Sequence, residues 1–205
     1  MSTWVTSIGC RARDVVIDAT GLKVYGEGEW HCRTHGKSKL RTWRKFHVAI
    51  DRDSLEIISI DLTASNVHDS KRTKALLDHV ESIASATADK GYDNNNAYDP
   101  IAQKSAAAII KLRSGAGLNL KNPSPGGFLR NHNILANHRF GKDAWKYGSG
   151  YTKRSCGENT IGRYQRIIGP TLHARKIENQ LADVRISARI LSLMTQLGMP
   201  KSYKS

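Results

Sequence analysis

The stretch Val15-Val16-Ile17-Asp18-Ala19-Thr20 constrains the chain most. Three β-branched apolar residues in a row suit a buried, pleated strand, and the residue that follows them is a carboxylate. Asp18 is then either a cap or turn residue or a site group held rigidly at the end of a first strand. Two further acids bear on that choice. Asp89 follows a second short strand, Ile83 to Ala88, and Glu158 lies on a helical stretch much later in the chain. Three carboxylates so carried are the raw material of a metal site.

The rest of the pattern alternates strand and helix. Phe46 to Ile50 and Ile57 to Leu62, joined over Asp51-Arg52-Asp53-Ser54, read as a hairpin, and with the first strand they make a three-stranded antiparallel sheet. Asn66 to Ser70 is a capping turn, and Ala75, Leu76, Leu77, Val80 and Ile83 then recur near helical spacing. Ser85 to Ala88 is a strand of small residues, left through Asp89-Lys90-Gly91. Asp99-Pro100 reads as an N-cap and first helical position, and Ala106 to Ile110 as a further strand. This order predicts an α/β fold, a mixed sheet with helices on its faces.

Residues 113–130 carry Gly115, Gly117, Pro123, Pro125, Gly126 and Gly127 and predict a long Gly/Pro loop. Loops of that length are functional or linkers, and Lys121 and Arg130 would suit contacts to a nucleic-acid backbone. Helices are expected over Asn131 to Trp145, Tyr151 to Arg166 and Ile177 to Leu197. The last has Ile177, Leu181, Val184, Ala188 and Leu191 on one core-facing stripe, with Ile190, Met194 and Leu197 beside it. No internal repeat or low-complexity segment interrupts the chain. Residues 1–14 form a lead-in, 15–198 one domain and 199–205 a tail.

Charge narrows the partner. Lys and Arg number 32 against 18 acidic residues, a formal net charge of +14, which favours a polyanion and first of all nucleic acid. A basic membrane-surface protein is disfavoured, since no segment pairs a strong apolar face with a basic one, and no apolar run approaches the roughly 20 residues needed to span a bilayer. The first nine residues have neither the basic start nor the apolar core of a secretory signal, so a cytoplasmic location is expected. Cys10, Cys32 and Cys156 are too few and scattered for a disulfide framework. His31-Cys32-Arg33-Thr34-His35 lacks the second pair a zinc site needs, Gly26-x-Gly28 lacks the third glycine of a dinucleotide fingerprint, and no Gly-x-Ser-x-Gly elbow is present.

On a regular helix of 3.6 residues per turn, Tyr151, Arg154, Glu158 and Gly162 share one narrow face. A phenol, a guanidinium and a carboxylate point the same way there, with a glycine leaving room for something to approach; the plainer alternative is a surface i, i+4 pair between Arg154 and Glu158. Asp18, Asp89 and Glu158 are hard, ionised oxygen donors. Magnesium would relieve their repulsion while keeping positions open for water and phosphate, and two ions about 4 Å apart activate an attacking hydroxyl and stabilise the leaving oxygen of a phosphodiester.

Tyr151-Thr152-Lys153-Arg154-Ser155-Cys156-Gly157-Glu158 reproduces the Y-(2)-R-(3)-E part of the Y-(2)-R-(3)-E-(6)-K signature of bacterial DDE insertion-sequence transposases. The stretch from Val15 to Lys23 is similar to the first-Asp motif of that family, and Asp89-Lys90-Gly91-Tyr92 to the second. The chain therefore resembles those transposases from about Val15 to Gly198. The resemblance implies an RNase H-like core with Asp18 on the first strand, Asp89 after the fourth and Glu158 on a late helix. It further implies cutting of double-stranded DNA at transposon ends with two magnesium ions, for which manganese can substitute, attack of the freed 3′-hydroxyl on target DNA, and a homo-oligomer in the DNA complex. Tyr151 and Arg154 would contact DNA near the scissile phosphate. The last signature position is Gln165 instead of Lys, with Arg163 and Arg166 nearby, so that the base is either displaced to one of them or its role is lost. Family members usually carry a longer N-terminal region, so a truncated copy is expected. The alternatives are a DNA-binding remnant without catalysis and a related RNase H-like nuclease.

Overall fold

The first strand takes the apolar run and continues past it. The computed structural model describes residues 12–24 and 42–198, and in it β1 is Arg13–Val24. Val15, Val16 and Ile17 are all fully buried, the mark of a strand covered on both faces. Asp18 is accordingly not the strand's end: it pairs with Val48 in mid-strand, and the chain stays extended for six residues more.

That extension has a cause in the neighbouring strands. β2 (Trp43–Asp51) pairs antiparallel with β1 from Val15 through Lys23, and β3 (Ile57–Ala64) completes the expected hairpin. On the opposite edge, β4 (Ile83–Ala88) runs parallel to β1 only as far as the Val16↔Thr87 pair, and the short β6 (Thr171–Leu172) rejoins that edge at Lys23. Between these points, among the described residues, the edge of β1 has no strand beside it. β5 (Ala107–Ile110) lies parallel on the far side of β4, giving a mixed sheet in the order β3-β2-β1-β4-β5 with β6 on β1.

Two cores cover the two faces. Val15, Ile17, Ala49 and Ala86 pack with Leu76 and Leu77 of α1 (Thr73–Leu77) and Ala97, Tyr98 and Ile101 of α2 (Asn95–Gln103). Leu22, Val24, Phe46 and Val48 pack on the other face with Tyr164 of α5 (Ser155–Ile167) and Val184 and Leu191 of α6 (Ile177–Gln196).

Several expected boundaries move. The helix foreseen from Ala75 to Ile83 is one turn, α1, after a 3-10 turn at Asp69–Arg72; Val80 lies beyond it and Ile83 opens β4. The spacing is helical because Leu76, Leu77, Val80 and Ile83 face one core, not because one helix carries them. Asp99-Pro100 does not start a helix. Asn94 caps α2 by accepting from the Asn96 N–H, and Pro100 sits inside it. Asp99 accepts hydrogen bonds instead from the Ser124 hydroxyl (2.5 Å) and the Gly126 N–H (3.1 Å).

The long loop ends earlier than expected, at Ser124. Ser124 caps α3 (Pro125–Phe140) with Pro125 in its first turn, so Gly126, Gly127 and Arg130 are helical. A Cβ on Gly126 would lie 2.3 Å from the Asp99 backbone nitrogen, which is why a helix begins here on glycines. The helix foreseen to Trp145 breaks at Gly141 (φ +81), after which α4 spans Lys142–Gly148. Tyr151–Arg154 is a 3-10 turn entered through Gly150 (φ +74), and α5 starts only at Ser155.

On α6 the expected stripe is half right. Val184, Ala188 and Leu191 are buried, but Ile177, Ile190, Met194 and Leu197 are exposed, and Gln180 and Ser192 take inward places. Polar latches turn the helix: Gln180 accepts from Arg44 Nε and donates to the Ala174 and Arg175 carbonyls, while the Ser192 hydroxyl accepts from the Ile57 N–H. Among the described residues no helix is long and apolar enough to cross a membrane. The lead-in up to residue 11, Cys10, Gly26-x-Gly28, the His31 to His35 segment with Cys32, and the tail lie outside the described residues.

Candidate functional site

Asp18 stands where β4 has left the edge of β1, and Asp89 is the first residue after β4. The sheet thereby brings together two acids 71 positions apart. Asp18 is 15% exposed; its Oδ1 accepts from the Ala19 N–H (2.9 Å) and its Oδ2 from Arg154 Nη1 (3.3 Å). Asp89 caps the 3-10 turn Lys90–Tyr92 by accepting from the Gly91 N–H (2.7 Å). A Cβ on Gly91 would lie 2.9 Å from that carboxylate oxygen, so the residue after Lys90 has to be small for the acid to fold over the turn.

Glu158 approaches on α5, with its side chain 59% exposed and its Oε1 bound by Arg154 Nη2. Arg154 therefore bridges Asp18 and Glu158 through two arms of one guanidinium, a fork geometry no lysine offers. What seats α5 is Gly157, a position that helical periodicity does not single out. A Cβ there would meet Val16 Cγ1 at 2.9 Å and Asp18 Oδ2 at 3.4 Å, so the helix lies directly on β1 beside the acid. Gly162, expected to admit a close neighbour, faces open space, with only Arg166 Nη2 at 4.0 Å.

Electrostatics register the convergence. Burial pushes the Asp18 carboxyl above its usual range; the Ala19 N–H and Arg154 pull it back, and the nearby carboxylates of Asp89 and Glu158 push it further up. Tyr92 is buried with no hydrogen-bond partner for its hydroxyl, and burial together with Asp69, Asp18 and Asp89 holds its proton firmly. Tyr151 is buried too, its ring 5.5 Å from that of Trp145, and burial raises its hydroxyl while Arg154 opposes. Burial also raises the Cys156 thiol, which is free and unsuited to nucleophilic work.

Tyr151, Arg154 and Glu158 thus gather as the helical spacing suggested, although the first two stand on the 3-10 turn ahead of α5. The other expected DNA contacts divide. Lys121 and Arg166 are exposed. Arg163 donates to Thr195 Oγ1 (3.0 Å), tying α5 to α6. Arg130 is committed to structure: it binds the buried Asp93 at 2.7 Å and the Gly117 carbonyl. Gln165 donates to Thr20 Oγ1 (3.0 Å), a second tie between α5 and β1 two residues beyond Asp18.

The donor set is all carboxylate oxygen, which suits a hard cation such as magnesium. Among the described residues no three His, Cys, Asp or Glu side chains stand close enough to hold a metal ion, and the guanidinium of Arg154 is the positive charge between Asp18 and Glu158.

No solved structure matches the chain. Its sequence does match the family described as transposase DDE domain, continuously over residues 9–193. A match of that extent covers both aspartates, the glutamate and every element that carries them, and it settles the relationship: the chain belongs to the transposase DDE domain family.

Proposed function

We propose that residues 15–198 form an RNase H-like catalytic domain that cuts DNA at the ends of an insertion sequence and joins the freed 3′-hydroxyl to target DNA. The observation that carries this reading is the Arg154 bridge, which gathers acids from β1 and α5 next to the acid that closes β4. The strand order β3-β2-β1-β4-β5, with the first three antiparallel and the last two parallel to β1, supports the fold assignment.

Asp18, Asp89 and Glu158 are the residues that would hold the divalent ions, magnesium or manganese, which when bound supply activation of the attacking oxygen and stabilisation of the leaving one. The chain's own residues do the rest. β1 and the capped Lys90–Tyr92 turn fix two carboxylates on rigid backbone, the arrangement a precise site needs. Glu158, the most exposed of the three, is the acid free to reorient. Arg154 neutralises two acids while the site is unloaded, and its fork fits a phosphate as it fits a carboxylate. On this reading it passes from Glu158 to the DNA backbone when substrate arrives.

The test is nicking of duplex DNA carrying the element's end sequence, with random duplex and an RNA/DNA hybrid alongside. Asp18→Ala, Asp89→Ala and Glu158→Ala should each abolish magnesium-dependent nicking while thermal melting shows a folded protein. Normal nicking by Glu158→Ala would remove the assignment. Equal cutting of the hybrid would favour a general RNase H-like nuclease, and salt-sensitive binding without any cutting a DNA-binding remnant.

A further inference from the structure

Helix α4 buries none of its residues. A helix of seven residues has little stability in water, and in proteins helices are normally held by an apolar face against a core. α4 has no such face. It hangs between two positive-φ glycines, Gly141 and Gly150, and the half-buried Trp145 lies with its ring tilted against that of Tyr151. Tyr151 in turn opens the 3-10 turn that ends at Arg154, so this contact leads straight to the carboxylate site.

What α4 presents outward is specific in kind. Lys142 and Lys146 are exposed and four residues apart, on one side of the helix with roughly 6 Å between their Cβ atoms. Tyr147 is 72% exposed with the Lys146 ammonium 6.0 Å from its ring centre. Arg139 precedes them at the end of α3 and Lys153 follows on the 3-10 turn, both exposed, and Asp143 is the only acid in that span. A solvent-facing row of cations with a bare aromatic ring is what a nucleic-acid strand takes, phosphates on the cations and a sugar or base on the ring. It suits a membrane less, since the two exposed rings of this stretch, Phe140 and Tyr147, each carry a cation, Arg139 at 5.3 Å and Lys146 at 6.0 Å from the ring centre, where an inserting helix needs an apolar face free of charge.

We propose that α4 is a DNA-docking arm, in which Lys142 and Lys146 bind phosphates and Tyr147 packs on the strand between them, holding the duplex that runs into the Asp18–Asp89–Glu158 site. The assignment rests on the DNA-acting reading above. It adds a path along which DNA is held: from Arg139 over α4 to Lys153 and Arg154, with Arg130 excluded because Asp93 occupies it.

The measurement is fluorescence anisotropy of a labelled duplex titrated with the full chain in metal-free buffer at several salt concentrations. The double variant Lys142→Glu/Lys146→Glu should bind at least about tenfold more weakly, with the slope of log affinity against log salt smaller by about 2, one unit per lost phosphate contact. Arg185→Glu, an exposed position on α6 with the charge change of one of these lysine reversals, should stay within about twofold of wild type. Tyr147→Ala should weaken binding and Tyr147→Phe should not, since the ring is what packs. Melting temperatures should not fall in any of these variants because α4 carries no core; if the glutamates disturb folding, Lys142→Gln/Lys146→Gln should give the same loss in slope. Wild-type affinity and slope in the double variants would overturn the arm while leaving the catalytic reading intact. Tight arm-dependent binding by a protein that never nicks would sink the catalytic reading and keep the arm.

Discussion

Arg154 shows how much one side chain can hold: removing it would leave Asp18, already disfavoured as a charge by burial, facing Glu158 and Asp89 with the Ala19 N–H but no guanidinium to offset them. A second residue with a decided charge state is His47, fully buried on β2, its Nε2 2.9 Å from Thr63 Oγ1 and its Nδ1 with no hydrogen-bond partner. Burial lowers its pKa below the ordinary 6.5; Asp69 and Asp61 pull the other way, and Lys45 and Arg72 reinforce burial. An unfolded chain takes up the proton at about pH 6.5 while the folded one refuses it until lower pH, so the unfolded state binds more protons in that window. Stability is therefore full above about pH 6.5 and falls as the solution is acidified below it. His47→Gln keeps a partner for Thr63 and removes the titration. Comparing melting temperatures at about pH 7.5 and 5.5 should show a smaller drop in the variant than in wild type; an equal drop would assign the acid sensitivity to other groups.

At the scale of elements, the seat of α5 on β1 decides whether Glu158 reaches Asp18. Gly157→Ala forces a methyl group to within 2.9 Å of Val16, so helix or strand must shift; overpacking of this kind costs about 1–3 kcal/mol. Gly162→Ala adds its methyl to open space and gains up to about 1 kcal/mol of helix propensity. Melting should fall by several degrees in the first variant and hold or rise in the second, at about 2–4 °C per kcal/mol for a chain this size, and nicking should be lost only in the first. Equal melting of the two would show that α5 does not rest on Gly157. The contrast also marks what the chain discloses when read linearly. Strands β1 to β3 were legible because their apolar periodicity is local, and Arg154 with Glu158 because four residues is one helical turn. Gly157 was not, since its need for no side chain is set by Val16, on another element. Gly126 is the same case, governed by the Asp99 backbone, and it hid the start of α3 inside what reads as a loop. Gln180 and Ser192 turned α6 for partners on β2 and β3 that helical periodicity does not weigh.

At the scale of the whole molecule, the candidate site lies where β4 stops short on β1, beside the Lys90–Tyr92 turn and where Gly157 of α5 meets Val16 and Asp18. The three acids could be named from their motifs, but the gap between them is a property of strand order. The same scale governs charge. With 32 basic against 18 acidic residues, the folded chain works against its own repulsion. Some charges are paired at short range, as in Lys74 with Asp78 at 2.8 Å and Arg130 with Asp93 at 2.7 Å, and salt weakens the exposed pair. Exposed pairs are worth less than about 1 kcal/mol each, whereas the net excess acts across the surface and is screened as the Debye length shrinks from about 30 Å at 0.01 M salt to about 10 Å at 0.1 M. Repulsion should dominate, so the melting temperature of the free protein should rise over that range of sodium chloride. DNA affinity must move oppositely, since each phosphate contact releases a counterion and is penalised by added salt. Melting curves and anisotropy titrations in the same buffers would show the two trends diverge. A melting temperature that falls with salt would mean that the ion pairs outweigh the excess charge, and that the positive surface is already compensated within the fold.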